Sequence, residues 1–287
     1  MRNSWRLLPL VALLAACERA SFAVANLPSH LVRTSVVRDV RYGPERWQKL
    51  DIYEPASESP GPRPIIVFFY GGRWESGSRG DYEFVGDAFA KKGFITVIPD
   101  YSKYPDVRFP VFVEDGAKAL AWVHDHISEH QGDPRRIFVA GHSAGAHIAA
   151  LLTVDKHYLA ALNKTPTQII AGFAGLAGPY SFTPDEPDLQ DMFGPPTRYP
   201  AMQATTFIDG HEPPMLLLWG DADTTVRRDN LDRLKTAIEA KGSRVQTIIY
   251  PGTNHVGILG ALSWVNPQGV PVLDDIARFF KDIGADR

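Results

Sequence analysis

The sequence has a single cysteine, Cys17, so no disulfide framework is available and stability must come from a packed core. It also lacks any block of like charge. Thirty Lys and Arg stand against 33 Asp and Glu, a formal net charge of −3, which argues against nucleic acid or an anionic surface as the main partner. Leu7–Ala16 is an apolar run of ten residues, too short to span a bilayer as a helix. No internal repeat, low-complexity tract or metal-ligand pattern interrupts the chain. His124 and His126 are two residues apart on a helical stretch, hence on different faces, which is poor spacing for a metal. With 44% hydrophobic and 22% charged residues, the 287-residue chain has the composition of a soluble globular protein, long enough for one large α/β domain or two small ones.

The N-terminus carries Arg2 and Arg6 ahead of the short apolar run, the layout of a secretory signal. The run ends in Leu14-Ala15-Ala16-Cys17, which resembles a bacterial lipoprotein box. That resemblance implies lipidation of Cys17 as the first mature residue. Cleavage nearer Phe22–Ala25 is the alternative, and it also yields an exported protein. Residues 1–17 are thus expected to be a signal peptide, 18–34 a tether with little structure, and 35–287 a catalytic domain. The expected location is the periplasmic side of a bacterial membrane, with membrane contact only through the anchor.

Ser35–Tyr42 and Lys49–Tyr53 alternate apolar and polar residues, as half-buried antiparallel strands do. After them, continuous apolar runs alternate with helical periodicity. The runs Pro64–Tyr70, Phe94–Pro99, Ile137–Ala140, Gln168–Leu176, Pro213–Trp219 and Val245–Tyr250 read as buried strands. Asp81–Lys92, Pro110–His130, Ala146–Val154, Arg227–Lys241 and Val272–Ile283 read as helices. This alternation implies a mostly parallel central sheet with antiparallel N-terminal strands and helices on both faces, with functional residues at the carboxyl ends of the strands. Pro179–Glu212 breaks the pattern. An unstructured stretch of that length, rich in Pro, Asp, Phe and Tyr, is expected to be a lid-like insertion over the site.

One stretch carries the chemistry. Gly141-His142-Ser143-Ala144-Gly145 lies between the Ile137–Ala140 strand and the Ala146–Val154 helix, the context in which G-x-S-x-G forms a nucleophile elbow. A strand that turns into a helix this sharply strains the central residue, and a Cβ at Gly141 or Gly145 would collide with the neighbouring strand or helix. Ser143 is the expected nucleophile. A serine needs a base, and the base needs an orienting carboxylate, in the chain order Ser, Asp or Glu, His. The loop after Met215–Trp219 supplies Asp221 and Asp223, and the loop after Val245–Tyr250 supplies His255. Asp221 follows the strand glycine directly and suits turn hydrogen bonds. Asp223 lies further along and suits the histidine. His142 and His147 flank the nucleophile as structural or pocket-lining residues, and His124, His126 and His130 read as solvated helix positions. The expected oxyanion donors are the backbone N–H of Ala144 and those of Gly72 and Arg73, in a loop where paired glycines turn the main chain.

These motifs, with Lys49–Pro55, Asp100-Tyr101 and Gly252–His255, resemble the α/β-hydrolase superfamily. Within it they resemble carboxylesterases with an HGGxW-type oxyanion loop, including feruloyl-esterase-like, kynurenine-formamidase-like and hormone-sensitive-lipase-like enzymes. The resemblance implies the α/β-hydrolase fold and a cofactor-free serine hydrolase cleaving a small-molecule carboxylic ester. Arylformamidase-like amide hydrolysis and a non-catalytic binding role are the alternatives. One departure is Tyr70, where the family loop begins with His to brace it, so the hydroxyl is expected to take over that task. Arg73 is a second, expected to place a cation at the pocket mouth for acidic substrates.

Overall fold

The computed structural model describes residues 22–27 and 34–285, so the readings of a signal peptide and of Cys17 lie outside the described residues. Helix α1 covers residues 22–26. The strands β1 (Ser35–Arg41) and β2 (Lys49–Glu54) pair antiparallel, and β2 continues antiparallel onto β4 (Ile95–Pro99). From β3 (Arg63–Phe69) onward the pairing is parallel, through β5 (Gly132–His142), β6 (Gly172–Leu176), β7 (Met215–Gly220) and β8 (Val245–Tyr250). The sheet order is β1-β2-β4-β3-β5-β6-β7-β8. The expected strands are all present, with two marked changes of extent: the expected Ile137–Ala140 run is part of the eleven-residue β5, and the Gln168–Leu176 run is shortened. Of Gln168–Leu176, only Gly172–Leu176 is strand, because after the short helix α5 (Lys156–Ala160) Pro166 opens a second one, α6 (Pro166–Ile169), under a Thr165–Gln168 capping box.

Helix α2 (Glu83–Lys91) connects β3 to β4 in one direction along the sheet. Helices α3 (Val111–His126) and α4 (Ala144–Val154) lead the other way, to β5 and β6, and pack on each other. Right-handed crossovers in opposite directions put their helices on opposite faces. The final helix, α11 (Val272–Ala285), packs with α2, and α9 (Asp229–Ala240) crosses from β7 to β8. The order reverses between β3 and β5, and the crevice at the carboxyl ends of these strands is where such sheets place their chemistry. The central strands β3, β4, β6 and β7 are buried almost throughout, which explains their unalternating apolar sequences.

Two expectations change. Helix α1 belongs to the segment read as a loose tether, yet it is docked. Asn26 accepts from Phe84 N (2.9 Å) and donates to the carbonyls of Gly80 and Asp81, while Trp264 Nε1 donates to Val24 O. The insertion is ordered rather than unstructured, with helices α7 (Pro187–Phe193) and α8 (Tyr199–Met202) and buried Leu189, Met192, Phe193 and Met202. Its scattered prolines start short helical turns, and no single turn is long enough to show a helical period.

Candidate active site

Ser143 sits between β5 and α4 with φ 54° and ψ −123°, a strained conformation for a residue with a side chain. The elbow glycines are sterically required. A Cβ on Gly145 would run into the carbonyl oxygens of Phe69 and Tyr70 at the end of β3, and one on Gly141 would lie 2.6 Å from the Gly145 backbone. Ser143 N donates to Leu176 O (2.9 Å), fixing the elbow to β6. Ala144 opens the 11-residue helix α4, where the first N–H groups have no intrahelical partner.

The acid and histidine loops are held together before any side chain meets. Parallel pairing of β7 with β8 ends at Gly220 and Tyr250. Asp221 N then donates to Tyr250 O and Ala222 N to Thr253 O, each at 3.1 Å. Asp221 takes the turn role expected of it, accepting from Gly252 N at 2.6 Å. Asp223 Oδ2 lies 2.8 Å from His255 Nδ1, while its Oδ1 accepts from Thr225 N and Val226 N. Burial pushes the Asp223 carboxyl up, but the His255 hydrogen bond and charge and the two backbone donors outweigh it and hold the group below its usual range. An ionised carboxylate accepts, so Nδ1 carries the imidazole proton and Nε2 is left as a base. His255 is also the first residue of α10 (His255–Gly260), capped by Asn254 Oδ1 on Gly257 N.

The loop after β3 lies against the elbow: a Cβ on Gly71 would come within 3.2 Å of Ser143 Cβ. Gly72, Arg73 and Trp74 all have positive φ, at 115°, 56° and 60°. Gly72 O accepts from Glu75 N and Ser76 N, so it points into the loop. Arg73 N–H shares that planar trans peptide and points the other way. Tyr70 is fully buried and braces the loop by donating to Asp100 Oδ1 at 2.7 Å, with Asp100 also accepting from Arg79 N.

The Arg73 side chain does not do what the sequence suggested. It pairs with Glu186 and Asp188 of the insertion, each at 2.8 Å, and with Glu75 at 3.6 Å. Three carboxylates around one guanidinium leave no free cation for an acidic substrate. Arg73 instead ties the loop to the insertion, where Trp74 also packs on Phe182 and Phe193.

His142 and His147, expected as structural or pocket-lining residues, have partners that the sequence does not name. His147 Nε2 donates to Met202 O (2.8 Å), joining α4 to the insertion. His142 Nε2 donates to the main-chain oxygen of His255 (2.9 Å). Their position on either side of Ser143 was the one signal in the sequence that could have singled them out. The three histidines read as solvated helix positions also have partners: His124 meets Asp125, His126 meets Trp122 O, and His130 meets Glu54 of β2.

The chain matches the model of the prolyl oligopeptidase family over residues 113–282 and the BD-FAE model over residues 50–174. It is 27% identical over 257 residues to an isoprenylcysteine alpha-carbonyl methylesterase of Arabidopsis thaliana, across 80% of this chain and 58% of that one. The chain spans about half the length of the curated relatives it matches. Among solved structures it resembles Thermogutta terrifontis esterase 2, at 25% identity and a TM-score of 0.73 over 88% of this chain and 95% of that one. An inhibited esterase B of Lactobacillus rhamnosis shares the fold at 21% identity, with a TM-score of 0.82 over 98% and 96%.

Proposed function

From the premise that the chain belongs to the prolyl oligopeptidase family of α/β-hydrolases, within the carboxylesterases of that fold, we propose that it hydrolyses carboxylic esters through an acyl-enzyme intermediate. Ser143 Oγ attacks the ester carbonyl carbon as its proton passes to His255 Nε2. Asp223 keeps the imidazole in the Nδ1–H tautomer and stabilises the imidazolium that forms. The oxyanion is met by backbone N–H groups of Ala144, Gly72 and Arg73. Collapse of the tetrahedral species breaks the ester C–O bond, and the alcohol leaves with the proton from His255. Water, deprotonated by the same nitrogen, then releases the acid and restores Ser143.

The observation that carries the reading is the 2.8 Å Asp223–His255 pair beside the strained Ser143 elbow, reached from three different strand ends. Hydrolysis of p-nitrophenyl esters from acetyl to palmitoyl by the protein and by Ser143→Ala tests it. Turnover lost in the variant supports the reading, and equal turnover by both removes Ser143 from the chemistry. The same proposal extends to location, as an exported protein lipidated at Cys17. Palmitate labelling that disappears in Cys17→Ser supports this, and unlabelled wild type recovered with soluble protein refutes it.

A further inference from the structure

We propose that His142 is a positioning residue for the reaction, holding the main chain of His255 in register with the nucleophile elbow. The inference rests on the reading of Ser143 and His255 as nucleophile and base. His142 is buried and directly precedes Ser143 in the chain. Its Nε2–H donates to His255 O at 2.9 Å, and the two rings lie 4.7 Å apart, tilted at 43°. The end of β5 and the start of α10 are therefore linked through one rigid ring.

The link matters because the other hydrogen bonds at that end of α10, Ala222 N to Thr253 O, Gly252 N to Asp221 and the Asn254 cap on Gly257 N, tie it to the acid loop and to itself rather than to the elbow. The helix has six residues, and Val256, immediately after the base, is 63% exposed. Asp223 sets the rotation of the imidazole through Nδ1, but it does not set where the His255 backbone stands relative to Ser143. His142 does.

The ring has to be neutral to do this safely. Its Nδ1 is buried with no partner among the described residues, and a Cβ on Gly71 would lie 3.0 Å from it. A proton there would have no acceptor. It would also place a cation beside an imidazole that must itself become a cation in the transition state. Burial, reinforced by the charge of His255, pushes the His142 imidazole down to about 3, so the ring stays uncharged through the working range.

The test compares full-length wild type, His142→Gln and His142→Leu. A glutamine amide reaches the place of Nε2–H and can donate there, whereas leucine keeps bulk and loses the donor. Readouts are kcat and KM on p-nitrophenyl butyrate, the rate of fluorophosphonate labelling at Ser143, and the thermal midpoint. A misplacement of an ångström at a reacting group costs roughly 100-fold, so labelling and kcat should fall ~10–100-fold in His142→Leu with KM nearly unchanged. His142→Gln should recover most of the loss. Wild-type labelling by His142→Leu overturns the inference, as does a His142→Gln variant as slow as His142→Leu. Failure of wild type itself to label at Ser143 overturns the underlying reading, and this inference with it.

Discussion

Replacing Tyr70 with phenylalanine isolates the brace that stands where relatives of this fold are expected to have histidine. The ring is stacked on Tyr101 (4.7 Å) and Tyr82 (5.2 Å), so phenylalanine keeps the packing and removes only the hydroxyl. Burial and the Asp100 carboxylate hold the phenol well above its usual range, so it remains a donor at every accessible pH. Its bond to Asp100 Oδ1 is 2.7 Å long and wholly buried. A hydrogen bond to a charged group contributes about 1.5–3 kcal/mol. Asp100 keeps the Arg79 backbone and guanidinium donors, so the carboxylate is not orphaned and the loss should fall near the middle of that range, about 2 kcal/mol. For a domain of this size that corresponds to a fall in melting temperature of about 4 °C. Thermal unfolding of Tyr70→Phe, Asp100→Asn and the double variant measures it, and the double variant should lose clearly less than the sum of the two. Ester turnover should fall along with stability, because Tyr70 leads directly into the oxyanion loop. An unchanged melting temperature, or strict additivity in the cycle, would refute the reasoning.

Asp223→Asn should leave the fold intact and lower kcat by about 1,000-fold or more, since an amide no longer enforces the Nδ1–H tautomer; a loss under tenfold would remove Asp223 from the triad. Stability should decline as pH falls below 6.5. Burial lowers His142 to about 3 and His147 to about 4, so both stay neutral in the fold while the unfolded chain takes up their protons. Each contributes about 1.4 kcal/mol per pH unit across that window. Urea midpoints at pH 7 and pH 5 should therefore differ less in His147→Gln than in wild type, and an equal difference would contradict the assignment. Asp223, held below the usual carboxylate range, contributes stability that is present above the unfolded pKa and lost only at still lower pH. Gly145→Ala should fail to accumulate as soluble protein, because the added methyl meets backbone rather than a movable side chain; normal yield and activity would show that the elbow can open. Esters bearing a free carboxylate should be turned over several-fold more slowly than neutral ones of equal length, given the excess acid around Arg73. Equal rates would mean that this cluster does not border the substrate path.

The parallel core was legible because strands buried on both faces must be continuously apolar, as β3, β4, β6 and β7 are, although the run read as β6 took in the end of the short helix before it. The elbow was legible for a related reason: glycine at 141 and 145 is a local steric demand, met within five residues. Position within the loop then pointed to Asp223 over Asp221, which directly follows the strand glycine, and the structure gives the two acids the separate partners that reading assigned them. Tertiary structure alone decided the fate of long side chains. Arg73 reads as a free cation until Glu186 and Asp188, over 110 residues away, are brought beside it. His142 reads as a bystander until His255 arrives 113 residues later and presents its carbonyl. Local sterics and burial periodicity are written in consecutive residues, whereas the partner of a charge or a ring nitrogen is chosen only when distant loops meet.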